Sequence, residues 1–207
     1  MAARKKTKTT RKQPRQERSR RLVESILEAA IRVLARDGAA AFNTIRVAER
    51  AGVSVGSLYQ YFPNKKAILM RLQQDEWERT GAMLDAILRD ERRPPRVRVR
   101  DAFRAFFESE FEEAPMRRAL DDASAVWAED AATAPRRERG KPLLAALMGE
   151  IEPRLSASDR RRASEMFLAT MAGLGEHVSN TQKSAAAVDA WAIMAADMFL
   201  AWLTSLV

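Results

Sequence analysis

Residues 42–69 constrain the fold of this chain more than any other segment, because they carry the pattern of two short helices joined by a tight turn. Val47 belongs to the inward side of the first helix. Gly52 follows that helix, where a positive φ costs glycine little, and Ser54 can cap the next helix with its side-chain oxygen. The second helix, about residues 55–61, is too short to persist alone, so neighbouring elements must hold it.

The outward side of this segment is suited to contact DNA. Leu58 and Phe62 turn inward as anchors, which leaves the small residues at the start of the second helix exposed. Small residues permit a close approach to a groove floor, and tyrosine hydroxyls reach phosphate oxygens. The pattern therefore predicts a helix-turn-helix. Its outward residues are Val55, Gly56, Ser57, Tyr59 and Tyr61.

The stretch from Ala51 to Lys65 resembles the signature of tetracycline-repressor (TetR) family regulators. It reads Ala-Gly-Val-Ser-x-Gly-x-Leu-Tyr-x-Tyr-Phe-x-x-Lys, and the resemblance extends over roughly residues 18–70. It implies a three-helix DNA-binding head in which Thr44 and Lys65 contact phosphate and the start of the second short helix faces base edges. The residues predicted to bind DNA are Thr44, Arg46, Ser54, Val55, Gly56, Ser57, Tyr59, Tyr61 and Lys65.

One position departs from the pattern of the family. Val55 is apolar where relatives often carry a hydrogen-bonding side chain. A valine can contact a thymine methyl or act by exclusion, so we expect weak direct readout at this position. An incidental three-helix packing unit would explain the inward residues, but not the agreement of turn, cap and outward residues.

The basic residues are concentrated at the N-terminus. Residues 1–21 hold ten Lys or Arg and one acid, a net charge of +9, whereas the whole chain sums to +8. Because apolar periodicity is missing here, we expect a disordered basic tail over residues 1–17. Such a tail can follow the DNA backbone, with Arg18, Arg20 and Arg21 as phosphate contacts, or merely improve solubility. DNA contact of this kind would be independent of base sequence and sensitive to salt.

The rest of the chain carries helical periodicity almost throughout, which predicts an all-α fold. The stripe of the first helix ends at Gly38, and the Pro94-Pro95 pair is expected to end a long fourth helix. We assign residues 18–64 to the helix-turn-helix DNA-binding domain. Residues 65–207 are assigned to a helical-bundle regulatory domain for effector binding and dimerisation.

The apolar pattern of residues 166–206 predicts that the chain forms a homodimer. The terminal helix is apolar over so much of its circumference that a small domain alone cannot cover it. The resemblance implies that the last two helices form a four-helix bundle with those of a second copy, and packing within one chain is the alternative. The predicted dimer-interface residues are Met171, Leu174, Val188, Trp191, Ala195, Met198 and Trp202. A two-fold dimer would match a palindromic operator.

The sequence defines the effector site less sharply. The resemblance implies that the middle helices enclose a small apolar or aromatic effector, which favours the conformation that does not bind DNA. Aromatic residues at helical spacing in this region either form plain core or line a pocket. The candidate effector-binding residues are Phe103, Phe107, Trp127, Met166 and Met171.

Composition excludes several other classes of function. The chain has no cysteine and one histidine, which excludes thiol catalysis, thiolate metal sites and multi-histidine metal sites. No dinucleotide or phosphate loop completes its glycine pattern, so we predict no enzyme and no cofactor. The start of the chain lacks a signal-peptide pattern and no uninterrupted apolar run has membrane-spanning length, which predicts a cytoplasmic protein without membrane contact.

Together these features predict a sequence-specific transcriptional regulator. We expect a repressor that leaves a palindromic operator when a small-molecule effector binds, and repression rests on the resemblance alone. The alternative is a helix-turn-helix DNA binder without an effector, in an architectural or protein-partner-controlled role. A roomy cavity among the middle helices would favour the first hypothesis.

Overall fold

The structure is a computed structural model in which every element with defined bounds is an α-helix. No β-strand occurs in the part of the chain that the structure describes, in agreement with the all-α prediction. The backbone is described for residues 13–114, 116–118, 120 and 134–207, and the side chains for residues 16–114, 116–118, 120 and 140–207. The helices are, in chain order, α1 (Gln13–Ala41), α2 (Thr44–Ala51), α3 (Val55–Tyr59), α4 (Lys65–Leu88), α5 (Pro95–Glu112), α6 (Ala134–Ile151), α7 (Ala157–Thr181) and α8 (Ala185–Thr204).

The chain divides into two compact units, and the division lies inside α4. The first unit ends at Gln73 and the second starts at Gln74, whereas the predicted boundary lay between residues 64 and 65. The boundary lies later in the chain than predicted because the first turns of α4 belong to the first unit, where Ile68 and Leu69 are buried. We call the first unit the head.

The head is a helical unit built around the apolar sides of its four helical segments. The helical path of α1 breaks at Gly38, whose φ of 73° lies in the left-handed region, as the sequence predicted. Residues 13–17 are helical, so the predicted disordered tail does not describe these five residues, and residues 1–12 lie outside the described part. An i,i+4 ion pair between Arg21 and Glu17 at 2.7 Å supports this first part of α1. The buried apolar residues of the head are Ile26, Leu27, Ala29, Ala30, Val33, Leu34, Phe42, Val47, Ala48, Leu58, Phe62, Ile68, Leu69 and Leu72.

The second unit is organised around aromatic rings from α5, α7 and α8. Phe103 of α5 contacts Phe167 of α7 edge-to-face, with ring centroids 5.2 Å apart. Phe199 of α8 contacts Phe167 in the same manner at 5.4 Å. Edge-to-face pairs match the positive edge of one ring to the negative face of the next. These three rings join the helices into one continuous apolar core.

The Pro94-Pro95 pair does not end α4, contrary to the prediction. α4 already ends at Leu88, and Pro95 is the first residue of α5, where its missing N–H costs nothing. The carbonyl oxygen of Leu88 accepts a hydrogen bond from Nη1 of the buried Arg98 at 2.9 Å. Arg98 also pairs with Glu150 of α6, so one guanidinium joins three helices.

Among the described helices, α8 is the one whose length and composition would suffice to cross a membrane. Its buried residues, which include Ala192 and Phe199, belong to the core of the second unit. Its two acids pair with α5: Asp189 with Arg104 at 2.5 Å and Asp197 with Arg100 at 2.8 Å. These contacts are those of a core helix in a helical bundle.

Candidate nucleic-acid interface

The turn between α2 and α3 has the geometry that the sequence predicts. Gly52 ends α2 with φ 68° and ψ 30°, in the left-handed region, and its N–H bonds to the carbonyl oxygens of Ala48 and Glu49. Ser54 caps α3, because its Oγ accepts a hydrogen bond from the Ser57 N–H at 3.1 Å. α3 is five residues long and is anchored by the fully buried Leu58. The cap and the anchor together hold a helix that is too short to persist alone.

Two of the predicted phosphate contacts are the first residues of helices. Thr44 begins α2, where Asn43 Oδ1 accepts from the Arg46 N–H at 3.0 Å. Lys65 begins α4, where Asn64 Oδ1 accepts from the Ala67 N–H at 2.9 Å. A helix N-terminus carries partial positive charge and unpaired N–H groups, which favour a phosphate. Both positions are therefore suited to bind the DNA backbone.

Thr44 and Tyr59 lie side by side. The Thr44 Oγ1 and the Tyr59 hydroxyl are 3.1 Å apart and share a hydrogen bond. Tyr59 is 47% exposed, whereas Thr44 is 8% exposed. The pair joins the start of α2 to the end of α3, so the hydroxyl of Tyr59 has a fixed position at the surface of the head.

Tyr61, two residues after the end of α3, contacts the N-terminal part of α1. Its hydroxyl donates a hydrogen bond to Ser19 Oγ at 3.1 Å. The exposed Arg18 precedes Ser19 in α1. The bond therefore places the basic start of α1 next to the helix-turn-helix, where arginines can contribute to phosphate binding.

The other two arginines predicted from the tail form surface ion pairs along α1. Arg20 lies 3.5 Å from Glu24, and Arg21 lies 2.7 Å from Glu17. All four side chains are more than half exposed. Exposed i,i+4 pairs contribute little to stability, so a phosphate can replace the carboxylate partners at small cost.

Arg46 is held against α1, which the sequence did not predict. Its Nη1 donates to Asp37 Oδ2 at 3.0 Å, and Arg36 Nε donates to Asp37 Oδ1 at 2.7 Å. The hydrogen bond from Arg36, assisted by Arg46, lowers the pKa of Asp37 to about 2. The guanidinium of Arg46 thus has a structural partner in the head, and any phosphate contact would be made beside Asp37. The signal available in the sequence was an acid next to the helix-breaking Gly38.

The start of α3 offers small and partly exposed groups. Val55 and Ser57 are half-buried, and Gly56 is exposed. A Cβ placed on Gly56 would have the Ser54 Oγ at 3.9 Å as its nearest neighbour, so packing within the head does not require glycine there. Ile45 was not predicted, although its side chain is 57% exposed beside Thr44. Its position opposite the buried residues of α2 was readable from the helical period.

Four of the five predicted effector residues lie within the described part of the chain. Phe103, Phe107 and Met171 are buried in the core of the second unit, and Met166 is exposed. Trp127 lies outside the described residues. Burial alone does not distinguish core residues from residues that line an enclosed pocket, so the effector site stays a prediction.

The predicted dimer-interface residues separate into three groups. Met171, Val188 and Ala195 are buried in the chain's own core, so they are unavailable to a second copy, contrary to the prediction. Half-buried positions are Leu174, Trp191 and Trp202. Met198 is 56% exposed, and the unpredicted Ile193 and Met194 are exposed beside it.

Arg117 is the centre of an ion-pair network in the second unit. Arg117 pairs with Glu76 at 2.6 Å, with Glu113 at 3.5 Å and with Glu110. Burial raises the pKa of Glu76, against the opposing effect of Arg117 and of a hydrogen bond from Thr80. The guanidinium occupies the centre of this acidic group. Within the described side chains, no group of three or more His, Asp or Glu residues could hold a metal ion.

A capped helix-turn-helix beside a basic helix start, followed by a helical second unit, defines the class of two-unit helical DNA-binding regulators. Residues 26–72 match the family described as bacterial regulatory proteins, tetR family. Residues 94–206 match the tetracyclin repressor-like C-terminal domain. The chain belongs to the TetR family.

Individual proteins similar to this chain include a transcriptional repressor and solved structures. Over 60 residues the chain is 42% identical to the HTH-type transcriptional repressor KstR of Mycolicibacterium smegmatis, a match that spans 29% of this chain and 29% of that relative. A TetR-family transcriptional regulator from Mesorhizobium loti superposes with a TM-score of 0.71 at 17% identity, over 89% of this chain and 97% of that one. The SmeT–triclosan complex superposes with a TM-score of 0.64 at 20% identity, over 87% and 90% of the two chains. At these identities the two solved structures establish likeness of fold.

Proposed function

We propose that the protein is a sequence-specific transcriptional repressor that acts on a palindromic operator in the bacterial cytoplasm. The observation that carries this proposal is the capped turn from α2 to α3, with the exposed Tyr59 and Lys65 at its surface and the buried Thr44 hydrogen-bonded to Tyr59. In this arrangement Thr44 and Lys65 bind phosphates and thereby set the register on the duplex. Gly56 and Ser57 at the start of α3 then approach base edges in the major groove.

The operator is palindromic because the repressor acts as a homodimer. Support comes from the exposed apolar residues of α7 and α8, which include Met166, Ile193, Met194 and Met198. Ile193, Met194 and Met198 share one side of α8, and an exposed apolar patch marks an interaction site. A two-fold axis brings the same surface of a second copy against it.

A small-molecule effector releases the repressor from its operator. This part is supported by the family and by the name of the SmeT complex, which contains triclosan. The effector needs a higher affinity for the conformation that does not bind DNA, and the ratio of the two affinities sets the shift.

The proposal is tested by selecting genomic fragments with purified full-length protein and titrating the selected duplex at two salt concentrations. We expect a palindromic site whose half-sites are one or more helical turns apart, bound at least about a thousandfold more tightly than a scrambled duplex. A scrambled duplex of equal length and composition is the control.

Uniform, salt-sensitive binding without a preferred site would contradict the proposal. It would mean that phosphate contacts from the basic start of α1 supply the affinity, which is the behaviour of an architectural DNA binder.

A further inference from the structure

The surface of α3 that faces DNA in the proposed function contains few groups that distinguish bases by hydrogen bonds. Residues 54–59 include no arginine, lysine, asparagine, glutamine or acid, the residue types that pair most specifically with base edges. A serine hydroxyl donates to or accepts from several bases and therefore discriminates weakly between them. Hydrogen bonds from the start of α3 thus account for little sequence specificity.

The hydroxyls of this region already have partners within the head. Ser54 Oγ lies 2.8 Å from Ser57 Oγ and also accepts a hydrogen bond from the Ser57 N–H at 3.1 Å. The Tyr59 hydroxyl shares a hydrogen bond with Thr44 Oγ1 at 3.1 Å. Each pair of hydroxyls has two hydrogens and uses one of them in the shared bond, so each pair offers a single hydrogen to DNA.

Ile45 places an apolar side chain beside this surface. It is 57% exposed, whereas Thr44, Val47 and Ala48 are buried, so Ile45 lies on the outward side of α2. A single exposed apolar residue is common on a protein surface, and exposure alone does not mark a site. The location of Ile45 is what distinguishes it, because the bond between Thr44 and Tyr59 holds the start of α2 against the last residue of α3.

Val55 supplies a second apolar group, at the first position of α3. It is half-buried, and the exposed Gly56 next to it has no side chain that could cover it. The start of the second helix of a helix-turn-helix is the part that contacts base edges. Ile45 and Val55 are both β-branched, which restricts χ1 and holds their methyl groups in place before DNA binds.

Thymine presents the group that is complementary to these side chains. Its C5-methyl is an apolar group on the floor of the major groove, and cytosine lacks it. The methyl projects near the backbone of its own strand, so a residue that adjoins a phosphate contact can reach it. Ile45 follows Thr44, which binds phosphate in the proposed function. Contact between the methyl and an aliphatic side chain removes both from water and therefore favours thymine.

We propose that Ile45 and Val55 are specificity-determining residues that contact thymine methyl groups in the major groove of the operator. Recognition of this kind rests on the proposed function, because it specifies what the helix-turn-helix distinguishes within the operator. Each half-site carries two thymines whose methyl groups meet the protein, one at Ile45 and one at Val55. The two-fold symmetry of the dimer on its operator doubles both contacts.

The test replaces thymines of the selected operator by deoxyuridine, one position at a time and symmetrically in both half-sites. Deoxyuridine keeps the hydrogen-bonding groups of thymidine and lacks the methyl, so a change in affinity reports the methyl contact. Anisotropy titrations of full-length protein should reveal two positions at which the replacement weakens binding about tenfold, which is about threefold for each half-site. Thymines outside the palindrome are the control and should be insensitive.

Variants assign each methyl group to a residue through double-mutant cycles. In Ile45→Ala one of the two replacements should lose its effect while the other keeps it, and in Val55→Ala the reverse should hold. Ile45→Val retains β-branched methyl groups and should remain sensitive at both positions. All three variants should bind a scrambled duplex as the parent does, since that binding depends on phosphates. Val207→Ala, which shortens an exposed apolar residue of the second unit, should preserve the parent pattern.

The outcomes separate this proposal from the repressor proposal. A preferred operator that is insensitive to every thymine methyl would overturn the roles of Ile45 and Val55 and leave the repressor proposal intact. The parent pattern in both alanine variants would overturn them as well, because the methyl groups would then meet other residues. Coupling at one of the two residues alone would overturn the role of the other. Absence of any preferred duplex would refute both proposals together.

Discussion

Gly56 is the residue at which the requirements of folding and of DNA binding separate most clearly. The head leaves open space where a side chain would be, because the nearest atom lies 3.9 Å from the position of an added Cβ, and the residue lies in a helix. Folding alone would therefore accept or prefer alanine. A glycine at this exposed position is explained by the close approach of another molecule.

Gly56→Ala should leave the head folded, or stabilise it by up to about 1 kcal/mol, and weaken operator binding about tenfold or more, because the methyl group separates α3 from the base edges. Fluorescence anisotropy with labelled operator and urea denaturation measure the two effects. Gly81→Ala, a helical glycine of the second unit, is the control for the change in helix propensity. Unaltered operator affinity in Gly56→Ala would show that α3 does not approach the groove at this residue.

Lys65→Ala should lower affinity for all DNA sequences and reduce the slope of log affinity against log salt by about one unit, because one phosphate contact is lost. The measurement is a titration of operator and scrambled duplex at several salt concentrations. Lys183→Ala removes an exposed lysine of the second unit and should leave the slope unchanged. A loss confined to the operator would mean that Lys65 reads bases instead of phosphate.

Gly175 shows the opposite situation, because there the fold itself demands glycine. A Cβ at this position would lie 2.7 Å from the Phe106 ring and 3.3 Å from Glu110 Cγ. α5 and α7 approach closely at this point, and an aromatic ring cannot move aside as a flexible side chain can.

Gly175→Ala should therefore destabilise the second unit by about 1–3 kcal/mol, the usual cost of overpacking. Urea denaturation followed by tryptophan fluorescence measures it, since all four tryptophans lie after Gln73. Gly81→Ala, where no atom lies within 4 Å, should be neutral or stabilising. Equal stability of the two variants would contradict the close approach of α5 and α7.

At the scale of elements, buried and bridging charges connect helices and make their stability depend on pH. Glu76 of α4 is 3% exposed and contacts Arg117, which follows α5. Its raised pKa means that the folded second unit holds this proton more tightly than the unfolded chain does. The ordinary pKa of a glutamate side chain is 4.5. The free energy of unfolding should consequently fall as the pH rises from 4.5 through the pKa that Glu76 has in the folded protein.

Glu76→Gln should remove this component of the pH dependence. The free energy of unfolding, measured by urea denaturation with tryptophan fluorescence between pH 4 and pH 8, should then change less with pH than in the parent protein. Glu108→Gln, an exposed acid of α5, is the matched control and should retain the parent profile. If the Gln variant and the parent show the same profile, burial does not raise the pKa of Glu76.

Asp37 in the head changes stability with pH in the opposite direction, because its pKa is lowered. Its pKa of about 2 lies below the ordinary 3.8, so its pair with Arg36 and Arg46 stabilises the contact between α1 and α2 above pH 3.8. That stabilisation is lost as pH falls toward 2, when the folded carboxyl takes up a proton. Rising pH therefore stabilises the head through Asp37 and destabilises the second unit through Glu76.

At the scale of the whole molecule, the proposed homodimer assigns the exposed apolar surface of α8 to contact with a second copy. Ile193, Met194 and Met198 lie on one side of α8, while the other side is buried in the core. A variant that tests the interface should change only the exposed side of α8. Trp202 is unsuitable, because it packs against the buried Phe199 and its replacement would disturb the core.

Met194→Glu with Met198→Glu should yield monomers that bind the operator at least about a hundredfold more weakly, because each half-site is then bound alone. Light scattering gives the oligomeric state and anisotropy the affinity. Ala86→Glu, an exposed charge placed on α4, is the control. A dimer that persists in the double variant would exclude this side of α8 as the interface.

How much the sequence reveals differs between the two units for a physical reason. In the head, Gly52 and Ser54 act on their immediate neighbours, so turn and cap could be predicted residue by residue. Partners distant in sequence could not: the bonds from Tyr61 to Ser19 and from Arg46 to Asp37 depend on how α1 lies against α2 and α3. The turn and the caps are therefore confirmed, the DNA contacts stay predictions, and several hydrogen-bond partners of the predicted residues were not foreseen.

In the second unit, the sequence by itself determined that the chain forms amphipathic helices and a large apolar core, because the 3.6-residue period specifies which residues are apolar on each helix. It did not determine which apolar residues remain exposed. Met171 and Met198 carry the same side chain on neighbouring helices, yet one is buried and the other exposed. Only the tertiary structure decided this, since a wide apolar stripe can be covered from several directions and the packing of neighbouring helices selects one of them.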